Sequence, residues 1–150
     1  MMKTGLFVGT FDPFTIGHQS VVERVLPLFD RLVIGVGRNE AKHPETTAEE
    51  RVAAINQLYA GDERVVVVAY DGLTVDLAQR YEARFVVKGV RSVRDFEYER
   101  EQADLNRMLS GLETLLVMAE PGLASVSSTA VRELRKLGRD VSQLLPKVDE

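Results

Sequence analysis

Gly9-Thr10-Phe11-Asp12-Pro13-Phe14-Thr15-Ile16-Gly17-His18 follows the apolar run Leu6-Phe7-Val8 and precedes a segment whose apolar residues recur at helical spacing. A buried strand that ends in Gly-Thr and re-enters as a helix behind Gly-His gathers free backbone N–H groups, hydroxyls and an imidazole around a small volume. Those are the groups that hold a phosphate anion.

Outward from this turn, the chain repeats the step from strand to helix. Strands are predicted at Leu6-Phe7-Val8, Leu32-Val33-Ile34-Gly35-Val36, Val65-Val66-Val67-Val68, Phe85-Val86-Val87 and Leu115-Leu116-Val117-Met118, each an apolar run suited to a sheet covered on both faces. A helix from Gly17 to about Leu26 turns Val21, Val22, Val25 and Leu26 to one side and is ended or kinked by Pro27. After a polar loop from Arg38 to Thr46, Thr47-Ala48-Glu49-Glu50 reads as a capping box opening a helix that carries Val52, Ile55, Leu58 and Tyr59 inward. A further helix from Thr74 to Glu82 presents Leu77, Ala78 and Tyr81; a long charged one runs from Ser92 to about Leu109. Another, behind Ser125-Val126-Ser127-Ser128-Thr129, runs to about Leu137, and Asp140 to Leu145 forms a short last helix. Strands separated by crossovers of this length specify an α/β fold with a doubly wound, five-stranded parallel sheet. Residues 1–150 read as one domain, without repeat or linker.

Composition narrows the partners. A formal net charge of −4 argues against broad binding to nucleic acid or to an anionic membrane. With no cysteine and only His18 and His43, neither a disulfide nor a thiolate or multi-histidine metal site is expected. Met1-Met2-Lys3-Thr4-Gly5 leads into an apolar run too short for a signal peptide or membrane span, so the cytoplasm is the expected location.

In a doubly wound sheet, ligands collect at the carboxyl ends of the strands, where strand order reverses. Those ends carry Thr10 and His18, Lys42, Lys88 with Arg91, and Ser127 to Thr129. A histidine, three cations and a hydroxyl cluster therefore converge on one edge. His18 has two readings, a residue that caps or packs the helix start and a hydrogen-bond donor to a phosphate. Ser127, Ser128 and Thr129 are helix N-caps on one reading and phosphate ligands on the other, and the same free N–H groups serve both.

The decapeptide resembles the T/H-x-G-H signature of the nucleotidylyltransferase superfamily, and Val126-Ser127-Ser128-Thr129-Ala130-Val131-Arg132 resembles its I-S-S-T-x-x-R signature. Lys88-Gly89-Val90-Arg91-Ser92-Val93-Arg94-Asp95-Phe96-Glu97-Tyr98-Glu99 is similar to the stretch that marks the bacterial phosphopantetheine adenylyltransferase family. The resemblance implies a Rossmann-like nucleotidylyltransferase fold and transfer of AMP from ATP to 4′-phosphopantetheine, giving dephospho-coenzyme A and pyrophosphate. It further implies magnesium carried on the ATP phosphates rather than on protein side chains, and a homohexamer. His18, Thr10 and Lys42 take the catalytic positions. ATP contacts fall on Thr10, Phe11, His18, Gly89, Val90, Arg91, Glu99, Ala124, Ser125, Val126, Ser127, Ser128, Thr129 and Ala130. The acceptor falls to Thr10, Lys42, Lys88 and Thr74, with Leu73 beside it. Ile16 occupies the variable position of the first signature; Lys88 stands where the family commonly has arginine. The alternatives are a sister transferase with another phosphorylated acceptor and a non-enzymatic, flavodoxin-like binding module.

Overall fold

Five strands, β1 (Thr4–Gly9), β2 (Arg31–Gly37), β3 (Val65–Tyr70), β4 (Phe85–Val90) and β5 (Glu113–Met118), hydrogen-bond in the order β3-β2-β1-β4-β5, and every neighbouring pair is parallel. This is the arrangement in a computed structural model that describes residues 1–148; the last two residues of the predicted domain, 149 and 150, lie outside the described residues. The helices are α1 (Ile16–Val25), α2 (Ala48–Tyr59), α3 (Thr74–Arg80), α4 (Val93–Ser110) and α5 (Ser128–Lys136).

Side chains of a strand alternate between faces, and two apolar layers result. Phe7, Leu32, Ile34, Val36 and Val87 pack on Val21, Val22 and Val25 of α1 and Ile55 of α2. Leu6, Val8, Val33 and Val86 pack instead on Val75, Leu77 and Ala78 of α3. Gly35 lets α3 lie close to the sheet, because a Cβ there would stand 2.7 Å from the Leu77 side chain.

The chain steps outward from β1 through β2 to β3, then crosses back to place β4 on the other side of β1. The switch point therefore lies between β1 and β4. Their pairing runs only from Gly5↔Phe85 to Phe7↔Val87, whereas β4 continues against β5 to Val90↔Met118. Beyond Phe7 the two central strands part, and a crevice opens between them.

Several boundaries differ from expectation. The register with β5 carries β4 on through Lys88, Gly89 and Val90, so Lys88 sits within a strand rather than after it. Pro27 converts the end of α1 into a 3-10 turn, Leu26–Leu28, as its missing N–H requires. α3 stops at Arg80, and Glu82 adopts a left-handed conformation (φ 55°) that ends any continuation. The predicted last helix is only a 3-10 turn, Ser142–Leu144. The loop from Arg38 to Thr46 contains a 3-10 turn, Glu40–Lys42, flanked by left-handed Asn39 (φ 43°) and His43 (φ 51°).

Candidate active site

A cavity of about 380 Å³ opens at the parting of β1 and β4. Thr10, Phe11, His18, Lys42, Lys88, Gly89, Val90, Arg91, Glu99, Val126, Ser127, Ser128 and Thr129 all line it, so most of the residues singled out in the sequence meet at one place. Thr74, Ala124, Ser125 and Ala130 are not among the lining residues. Thr74 begins α3, where its hydroxyl stands 3.5 Å from the Tyr70 hydroxyl at the end of β3. The Ala124 carbonyl accepts a hydrogen bond from Arg91 Nη1 at 3.4 Å.

His18 is the N3 residue of α1 and completes a capping box with Thr15. The Thr15 N–H donates to His18 Nδ1 at 2.9 Å, while the His18 N–H donates to Thr15 Oγ1 at 3.4 Å. A ring nitrogen that accepts carries no proton, so the neutral imidazole holds its proton on Nε2. Phe11, edge-on at 5.0 Å between ring centroids, and Phe14 at 5.3 Å enclose the ring. Burial, aided by the Arg91 guanidinium, lowers the His18 pKa from 6.5 to about 4. The two readings of this histidine are therefore one: the bond that caps α1 fixes the tautomer that leaves Nε2–H as a donor. Gly17 also lines the cavity, and a Cβ there would meet the chain only at ordinary contact distances, so packing within the protein does not demand glycine.

The turn itself is held from three sides by residues distant in sequence. Arg51 of α2, only 4% exposed, donates from Nη1 to the carbonyls of Thr10 (2.5 Å) and Gly37 (2.9 Å) and from Nη2 to that of Arg38 (3.4 Å). It thereby ties the end of β1 to the end of β2. From α5, Arg132 donates to the Asp12 carbonyl at 2.6 Å and Ser128 Oγ to the Pro13 carbonyl at 2.7 Å. The buried Asp12 carboxylate accepts from the Glu45 N–H (2.9 Å) and the Thr46 hydroxyl (3.2 Å), anchoring the loop that carries Lys42.

Of the hydroxyl cluster, Ser127 is the N-cap of α5, accepting from the Ala130 N–H at 3.0 Å, and Ser128 is the strap to Pro13. The first-turn N–H groups of Ser128 and Thr129 have no intrahelical partner, and both residues line the cavity. A helix start of this kind accommodates anionic oxygens. Lys88 Nζ lies 3.3 Å from Oε2 of the buried Glu99, an oxygen without a hydrogen bond among the described residues. Arg91 leans on Asp95 at 3.6 Å, and Lys42 is exposed at the rim. Among the described residues no group of three or more His, Cys, Asp and Glu side chains is placed to hold a metal ion.

Sequence reasoning missed Asn39, Arg51 and the anchoring role of Asp12. The one available signal was Arg51's place four residues before Ile55, on the same face of α2.

A Rossmann-like sheet whose switch point holds a neutral histidine, a strand–turn–helix cradle and a free helix start is built to take a phosphate-bearing ligand. The family model described as cytidylyltransferase-like matches residues 6–134. The chain is 54% identical over 146 residues, 97% of each chain, to the phosphopantetheine adenylyltransferase of Phocaeicola vulgatus, and 51% identical with the same coverage to that of Bacteroides thetaiotaomicron. It belongs to the phosphopantetheine adenylyltransferase family, within the cytidylyltransferase-like proteins. A bifunctional NMN adenylyltransferase/ADP ribose pyrophosphatase from Francisella tularensis has the same fold, with a TM-score of 0.75 at 17% identity, over 99% of this chain and 46% of that one.

Proposed function

We propose that this protein transfers AMP from ATP to the phosphate of 4′-phosphopantetheine, releasing pyrophosphate and forming dephospho-coenzyme A. The observation that carries the reading is the His18 tautomer: Nδ1 is occupied by the Thr15 N–H, which leaves Nε2–H to meet charge on the α-phosphate. The names of relatives at 51–54% identity support the acceptor.

An acceptor phosphate is largely ionised at neutral pH, so its oxygen attacks the α-phosphorus without a general base. The new P–O bond forms as the bond to the β-phosphate oxygen breaks, and pyrophosphate departs with that electron pair. What the chain supplies is alignment and charge stabilisation. His18 and Thr10 hold the α-phosphate, and Lys42 follows charge from the acceptor to the transferring group. Lys88 holds the acceptor phosphate. Arg91 and the start of α5 hold the β- and γ-phosphates, with Gly89 and Val90 against the nucleotide. Magnesium enters, in the same proposal, as part of the substrate, on the triphosphate.

A homohexamer is part of the same proposal, supported by the exposed Val93, Met108 and Leu109 of α4 and Met118 at the edge of the sheet. So is a cytoplasmic location; no helix among the described residues is long and apolar enough to cross a membrane.

The test is coupled pyrophosphate release with ATP or CTP against a panel of acceptors. Release is expected with ATP and 4′-phosphopantetheine together, and not with pantetheine, which lacks the nucleophile. Equal turnover with CTP or with pantetheine would overturn the assignment.

A further inference from the structure

We infer that Asn39 is a positioning residue that decides which way the Thr10 hydroxyl points its proton. The inference rests on the proposed function, in which Thr10 meets phosphate. Asn39 Nδ2 donates to Thr10 Oγ1 at 2.7 Å, while the Asn39 side chain is itself outside the cavity lining. A hydroxyl that accepts on one side keeps its own O–H free to donate on another. Thr10 then presents a proton, rather than a lone pair, to an anionic oxygen in the cavity.

The surroundings fix both members of this bond. Arg51 holds the Thr10 carbonyl from one side and, through the Arg38 carbonyl, the peptide that leads into Asn39 from the other. The left-handed backbone of Asn39 (φ 43°, ψ 46°) is a conformation that asparagine tolerates better than most residues. Gly37 leaves space for the amide: a Cβ at Gly37 would stand 3.0 Å from Asn39 Nδ2. The absent Cβ, the left-handed residue and the buried guanidinium thus all serve one amide, which stands outside the cavity lining.

Two substitutions separate the amide from the backbone. Asn39→Gly keeps the left-handed conformation without strain and removes only the amide. Asn39→Asp keeps the conformation and puts an acceptor in place of the donor, so that it draws the Thr10 proton away from the phosphate. Each is paired with Thr10→Val in a double-mutant cycle, read in two ways. Thermal unfolding without substrate reads the bond itself, and pyrophosphate release from ATP and 4′-phosphopantetheine reads its role.

In the unfolding cycle, Asn39→Gly and Thr10→Val are expected to be less than additive, since either alone removes the same hydrogen bond. In turnover, Asn39→Gly is expected to lower kcat about 10-fold in the native background and less than about 2-fold in Thr10→Val. Asn39→Asp is expected to be slower than Asn39→Gly. Additive losses in both cycles, or an Asn39→Asp protein as fast as the native one, would overturn the inference. Coupling in unfolding together with no pyrophosphate release by the native protein from these substrates would instead overturn the proposed function, and with it the role, while leaving the hydrogen bond in place.

Discussion

His18→Gln separates the two things that this histidine does. Glutamine at N3 can still accept the Thr15 N–H, since Thr-x-x-Gln is itself a capping box, but it does not titrate. The native ring has a pKa of about 4 against an ordinary 6.5. As pH falls, the unfolded chain therefore takes up this proton first, and the stability carried by the neutral ring is present above pH 6.5 and lost as pH falls toward 4. At about 1.4 kcal/mol per pKa unit, the full loss is roughly 3 kcal/mol. Between about pH 7.5 and about pH 4.5 the native protein should lose about 2 to 3 kcal/mol more than the variant, which titrates its carboxylates but not this ring. Urea unfolding of both proteins at the two pH values measures the difference, and the NMR titration of the His18 Cε1–H gives the midpoint. Parallel losses, or a midpoint near 6.5, would refute the account in which burial against Phe11 and Phe14 keeps the ring neutral with its proton on Nε2.

Lys88→Ala should weaken 4′-phosphopantetheine binding by roughly 30-fold, about 2 kcal/mol, and change ATP binding little, whereas Lys88→Arg should retain affinity within a few-fold. Separate calorimetric titrations decide this, and a loss confined to ATP would move Lys88 to the nucleotide side. Ser128→Ala should cost about 1 kcal/mol of stability, because the Pro13 carbonyl loses its donor. An unchanged melting temperature with lost ATP affinity would reassign that hydroxyl to the ligand.

The five strands were legible because each is an apolar run bounded by turn residues, and a parallel sheet leaves no other place for such runs. Their ends were less so: Lys88-Gly89-Val90 has no strand-like pattern of its own and is extended because β5 runs alongside it. The cradle could be read from Thr10, Gly17 and His18, since their spacing is local. Its supports could not. Arg51 reads as a surface arginine at the start of a helix, and only the fold places it beneath the carbonyls of two strands, where it is buried and engaged through Nη1 and Nη2 but not through Nε. Ser128 combines two roles, its backbone N–H lying free at the start of α5 beside the cavity. Its place in a signature suggests a ligand, and the structure shows its hydroxyl bound to the chain itself.

The ties from Arg132 to the Asp12 carbonyl and from Ser128 to the Pro13 carbonyl join positions 120 and 115 residues apart. A ribosome makes the decapeptide well before it makes α5. Until then the early segment has its own sequence-encoded bend and, once α2 is made, Arg51, but neither of the donors from α5. The nascent chain therefore stays without a finished phosphate cradle until α5 has emerged and docked, and a product stalled or clipped before Ser128 keeps the ties from Arg51 to the Thr10 carbonyl and from Glu45 and Thr46 to the Asp12 carboxylate but lacks those from α5.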